Sequence, residues 1–79
     1  MLKLSQKWID AIFPRPETGM GYHVVSVILK DGRRFDQCVF ESGWISGIRG
    51  LDVVPFSDDE IQEILVTHDR WNFKAERSR

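Results

Sequence analysis

Cys38, His23 and His68 are the side chains of this 79-residue chain whose types most readily suggest covalent chemistry. A cysteine nucleophile needs a partly exposed, electropositive setting and a base within hydrogen-bond reach. Cys38 lies instead between Gln37 and Val39, with no nucleophile elbow and no helix start beside it. The expected state of such a thiol is a small buried side chain. His23, His68, Asp69 and Cys38 have the donor types of a metal site, but metal ligands usually come as closely spaced pairs on one face. Only His68-Asp69 is local, and neighbours on a strand point to opposite faces. No catalytic residue, metal ligand or cofactor site is therefore expected.

The carboxylates Asp58, Asp59 and Glu60 follow Ser57, which gives the spacing of a capping box and places acid at the positive end of a helical turn. That accounts for them without acid–base catalysis, which needs two carboxyl groups in different environments around a substrate. The glycines have no phosphate-cradling spacing and read as turn punctuation.

A basic cluster is the remaining candidate. Lys30, Arg33 and Arg34 flank a turn, Arg49 falls on a neighbouring strand, and Tyr22, Phe40 and Trp44 are available for stacking. Small β-barrels hold single strands of nucleic acid with such a combination. Asp31 and Asp36 dilute the patch, however, and with a net charge of −1 the chain lacks a strongly basic face. Three tryptophans, Trp8, Trp44 and Trp71, exceed what a thin core needs, and aromatics are enriched at protein interfaces. An open sheet edge would also favour self-association. The expectation is a non-catalytic interaction module that contacts an unknown protein partner or a second copy of itself. Lys30, Arg33, Arg34, Arg49 and Trp44 are its candidate contact residues. Weak binding of single-stranded nucleic acid through the basic hairpin end is the alternative.

The elements that must position these residues follow from the pattern. Residues 2–13 carry Leu4, Trp8, Ala11 and Ile12 at helical spacing, widened by Ile9 and Phe13, and Pro14 and Pro16 end the helix. Residues 14–21 form a loop. Residues 21–67 are the β-rich body and residues 68–79 a tail in which Trp71 and Phe73 dock and the end frays. Tyr22 to Lys30 is the strongest strand, rich in β-branched residues. Asp31-Gly32 turns it into a return strand over Arg33 to Glu41. A two-residue loop would pair Ile28 with Phe35 and Val24 with Val39. A three-residue loop closed by a glycine bulge would pair Val27 with Phe35 and gives the more uniformly apolar face, so it is preferred. Neither face of the hairpin is purely polar, which predicts cover on both sides: the barrel interior on one and the first helix on the other. Ser42-Gly43 is a second turn, Trp44 to Arg49 a third strand with a bulge or close approach at Gly47, and a brief helical turn after Ser57 leads to a last strand near residues 62–67.

Residues 21–37, Gly-Tyr-His-Val-Val-Ser-Val-Ile-Leu-Lys-Asp-Gly-Arg-Arg-Phe-Asp-Gln, with Val-Pro-Phe-Ser-Asp-Asp-Glu-Ile and Thr-His-Asp-Arg-Trp-Asn-Phe further on, resemble short uncharacterised bacterial proteins. That resemblance brings no activity and no site residue with it. The succession of strands and turns over residues 21–67 is similar to SH3-like small barrels, which implies a fold and not a function. The fold class expected is mainly β (α+β): an N-terminal helix packed on a curled antiparallel sheet of four or five strands.

Length and composition agree with one ordinary folded domain, at 42% hydrophobic and 29% charged residues. Acidic residues gather over 52–63 and basic ones over 64–79, as solvated surface. A lone cysteine excludes an internal disulfide, and no apolar run approaches a membrane span. A cytoplasmic protein without membrane contact is the corresponding expectation.

Overall fold

The computed structural model describes residues 1–67. Its elements are β1 (Leu2–Lys3), α1 (Gln6–Ile12), β2 (His23–Leu29), β3 (Arg34–Glu41), β4 (Trp44–Ile48), a single 3-10 turn (Asp58–Glu60) and β5 (Ile61–Val66). The strands form one antiparallel sheet in the order β1-β4-β3-β2-β5, curled into a half-barrel. The fold is mainly β with one short helix, as the residue pattern predicts.

The helix starts later than expected. Leu2 and Lys3 pair with Ile45 and Trp44 as a short edge strand, so the helix occupies residues 6–12 instead of 2–13. Ser5 is extended, and its N–H donates to the Asp58 carboxylate at 2.9 Å, which ties the chain entering α1 to the distant 3-10 turn. Ala11 is exposed and Phe13 is 67% exposed, so neither belongs to the buried stripe. Trp8, Ile9 and Ile12 form that stripe and join Leu4, Val25, Val27, Leu29, Cys38, Phe40, Ile45, Ile48, Phe56 and Ile61 in one core.

This core lies on the inner face of the sheet, and α1 packs there. The helix therefore packs on the inner side of the sheet and does not cover the opposite side of the hairpin. On that outer face, which alternation assigns to the neighbours of core residues, Val24 and Ser26 of β2 are buried, Ile28 and Val39 are half-buried, and Leu65 and Trp44 are each 37% exposed.

The hairpin resolves the choice of register by using both. At the turn, the Gly32 N–H donates to the Leu29 carbonyl and the Leu29 N–H to the Arg33 carbonyl, with Gly32 at φ 96°. This is the three-residue loop closed by a glycine bulge, and it pairs Val27 with Phe35. Beyond Ser26 the register shifts by one, and Val24 faces Val39. The extra residue is accommodated around Gln37, which adopts φ 58°. That bulge keeps Val25, Val27, Phe35 and Cys38 all on the inner face, which neither uniform register achieves.

Candidate functional site

The basic hairpin end forms, but acids already occupy it. The Arg33 guanidinium donates through Nε to Asp31 at 2.8 Å and lies 3.9 Å from Glu60. Arg34 Nε donates to Asp36 at 2.9 Å. The Arg33 main-chain N–H also donates to Asp31, and together with the guanidinium it holds the Asp31 carboxyl below its ordinary range. The Ser57 hydroxyl does the same for Asp59, with a further contribution from the Lys30 charge. Phosphates approaching Lys30, Arg33 and Arg34 would thus meet carboxylates held ionised beside each cation, which weakens the term on which nucleic-acid affinity chiefly rests.

Trp44 stands apart from that end, and Arg49 adjoins it through a cleft that it shares with Asp36, the partner of Arg34. Trp44 opens β4, and Arg49 follows its close. The Arg49 main-chain N–H donates to the Gln37 carbonyl at 3.1 Å, so the β3 bulge fixes where β4 ends. Asp36, Gln37, Arg49 and Gly50 line a cleft of about 330 Å³ there. The five residues picked out by type therefore fall into three places: a neutralised hairpin end, a polar cleft at the bulge and the Trp44 surface.

Trp44 occupies the most interaction-ready of these. Across the outer face, Lys3 of β1, Trp44 of β4 and Glu41 of β3 stand in one register row. The Lys3 ammonium lies 5.7 Å from the centre of the Trp44 ring, a cation–π contact. Glu41 uses one carboxylate oxygen to accept the Ser46 hydroxyl at 2.8 Å, and forms no ion pair among the described residues. Next to the row, Met1, Glu41, Ser42, Trp44 and Ser46 line a cleft of about 350 Å³. Lys3 and Glu41 were not picked out by type. Their signal becomes visible only once β1 is known to be a strand that pairs with β4.

Cys38 lies in the core, its Sγ 3.4 Å from the Phe35 carbonyl. Burial, with the Asp36 charge adding to it, raises the thiol from its ordinary 9.0 to about 12. At neutral pH it is a protonated packing group. His23 is 3% exposed, sits edge-on to Phe40 at 5.7 Å and places Nε2 2.8 Å from the Arg15 carbonyl. It therefore pins the loop before β2 to the sheet. His68 and Asp69, with Trp71 and Phe73, lie outside the described residues. Among the described residues no group of three or more potential ligands gathers for a metal, and no helix is long and apolar enough to cross a membrane.

Comparison with known proteins finds no matching family model, no matching curated protein and no matching solved structure.

Proposed function

We propose that this chain is a small interaction module that pairs with a second copy of itself through the outer face of its sheet. The observation that carries this reading is the row Lys3–Trp44–Glu41, in which a cation, an aromatic ring and an anion follow one another across three strands. Such a row is complementary to its own image. A twofold axis parallel to β4 above Trp44 would set Lys3 of one copy against Glu41 of the other, twice, with the two indoles at the centre. An exposed tryptophan beside a cleft of about 350 Å³ is the anchor-and-pocket pairing that carries most of the energy in protein interfaces. The half-buried Val39 and the exposed Leu65 extend the same face. A three-strand meander, a 3-10 turn and a last strand returning beside the first also support reading the body as an SH3-like small barrel.

Charge exchange tests the reading. Sedimentation equilibrium of the full chain is expected to show a dimer that Lys3→Glu or Glu41→Lys weakens by about tenfold or more, since each creates two like-charge contacts. Combining both substitutions should restore it, because the row is then reversed and still complementary. A wild-type chain that stays monomeric at high concentration would remove the proposal. A double variant no better than its parents would do the same.

A further inference from the structure

The cleft at the β3 bulge has unused hydrogen-bonding groups of both kinds on its walls. The Asp36 carboxylate spends one oxygen twice, accepting the Ser26 hydroxyl at 2.6 Å and Arg34 Nε at 2.9 Å, and leaves the other free. Arg49 lines the same cleft and makes no ion pair among the described residues. The Gln37 side-chain oxygen is buried without a hydrogen-bond partner, so a ligand donor that drew the amide toward the cleft would satisfy it. On one side the backbone is held in an uncommon conformation, with Gln37 at φ 58°. Non-glycine residues in that region cost free energy, and such outliers cluster at binding sites.

Complementary charge narrows the ligand. A cation meets Arg49 and an anion meets Asp36, so a neutral group offering donors beside an acceptor fits best. We infer that the cleft formed by Asp36, Gln37, Arg49 and Gly50 binds a guanine base, with the free Asp36 oxygen accepting its N1–H and N2–H donors and Arg49 donating to O6. Adenine and cytosine present a ring acceptor where guanine presents its N1–H, and uracil offers a single N–H between two carbonyls. The site is distinct from the Lys3–Trp44–Glu41 row and does not depend on self-association.

Fluorescence anisotropy of a labelled uridine heptamer with one central guanine, against the same strand with adenine there, tests this on the full chain at low salt. The guanine strand is expected to bind about tenfold tighter. Asp36→Asn should abolish the preference, because Ser26 and Arg34 hold the one amide oxygen and leave its NH2, a donor, facing the donors of guanine, and Arg49→Gln should weaken guanine binding about as much. Glu41→Lys should leave the guanine preference unchanged, whatever its added charge does to both affinities at low salt, so loss of the dimer and loss of this site are separable. Guanosine monophosphate competing where adenosine monophosphate does not would assign the base to a free nucleotide. Competition by the strand only would assign it to single-stranded nucleic acid. Equal affinity for the two strands, no binding to either, or displacement by glycine as effective as by guanosine monophosphate overturns the inference. Thermal denaturation of each variant confirms that a lost preference is not a lost fold.

Discussion

Cys38 shows how burial replaces reactivity. Its folded-state value of about 12 lies above the 9.0 of an accessible thiol, so an unfolded chain loses this proton first as pH rises. Stability attributable to the protonated thiol is whole below pH 9 and falls between pH 9 and about 12. Denaturant titrations across that interval should show a decline that Cys38→Ala abolishes, after allowance for its constant core-cavity cost. A variant declining as steeply as wild type would place the effect elsewhere. Asp36 works in the opposite sense. The Ser26 hydroxyl first, and Arg34 second, depress its carboxyl below 3.8, so its contribution is present above that value and is lost as pH falls through the lower one. Asp36→Asn should flatten the acid limb of the stability profile, and Ser26→Ala should flatten it in part. Unfolding midpoints from pH 5 down to 2 measure both.

Among elements, the β3–β4 hairpin is the most open to improvement. Ser42 and Gly43 turn it with φ 52° and φ 86°, and Glu41 pairs with Trp44 across the loop. Both central residues of this two-residue turn carry positive φ, which favours Asn-Gly. Ser42→Asn should stabilise the chain by roughly 0.5 kcal/mol, raising the melting temperature by about 2–4 °C. Gly43→Ala should lower it by about 4–8 °C or more, because a Cβ there meets positive φ and approaches the Ile9 Cδ1 at 3.2 Å. Equal melting temperatures for the two variants would contradict this account of the turn. The Asp31-Gly32 and Ser42-Gly43 turns were legible in sequence because turn chemistry is local. The start of α1 was not, because Leu2 and Lys3 become a strand only by pairing with β4, far along the chain. The Gln37 bulge is equally invisible in sequence. Nothing in Asp-Gln-Cys marks an extra residue, and both uniform registers looked self-consistent. The candidate residues were chosen by type, so the acids that neutralise Arg33 and Arg34 were counted as dilution when they are direct partners.

At the scale of the molecule, the half-barrel leaves two edges unpaired among the described residues, β1 and β5, and the proposed face-to-face dimer covers neither. β1 is two residues long and offers little for another strand to pair with. β5 has six residues, Ile-Gln-Glu-Ile-Leu-Val, and among the described residues it pairs on one side only, with β2. Such a strand is a template for edge-to-edge association unless charge guards it. Glu63, exposed on the outer face opposite Ile28, is the single charged residue in β5. In antiparallel pairing of β5 with a second β5 centred between Gln62 and Glu63 or on Glu63 itself, this carboxylate meets or lies close to its own copy. Registers centred on Ile64 set it against Leu65, where it is desolvated without a partner. Removing the charge should therefore release assembly beyond the dimer. Glu63→Val is expected to fold, since the side chain is exposed and valine suits a strand, but to show concentration-dependent light scattering and growing β-sheet aggregates. Glu63→Lys should remain as soluble as wild type, because a charge of either sign guards the edge. If Glu63→Val stays as soluble as both, the curl of the sheet alone protects β5, and the charge has no part in keeping the edge open.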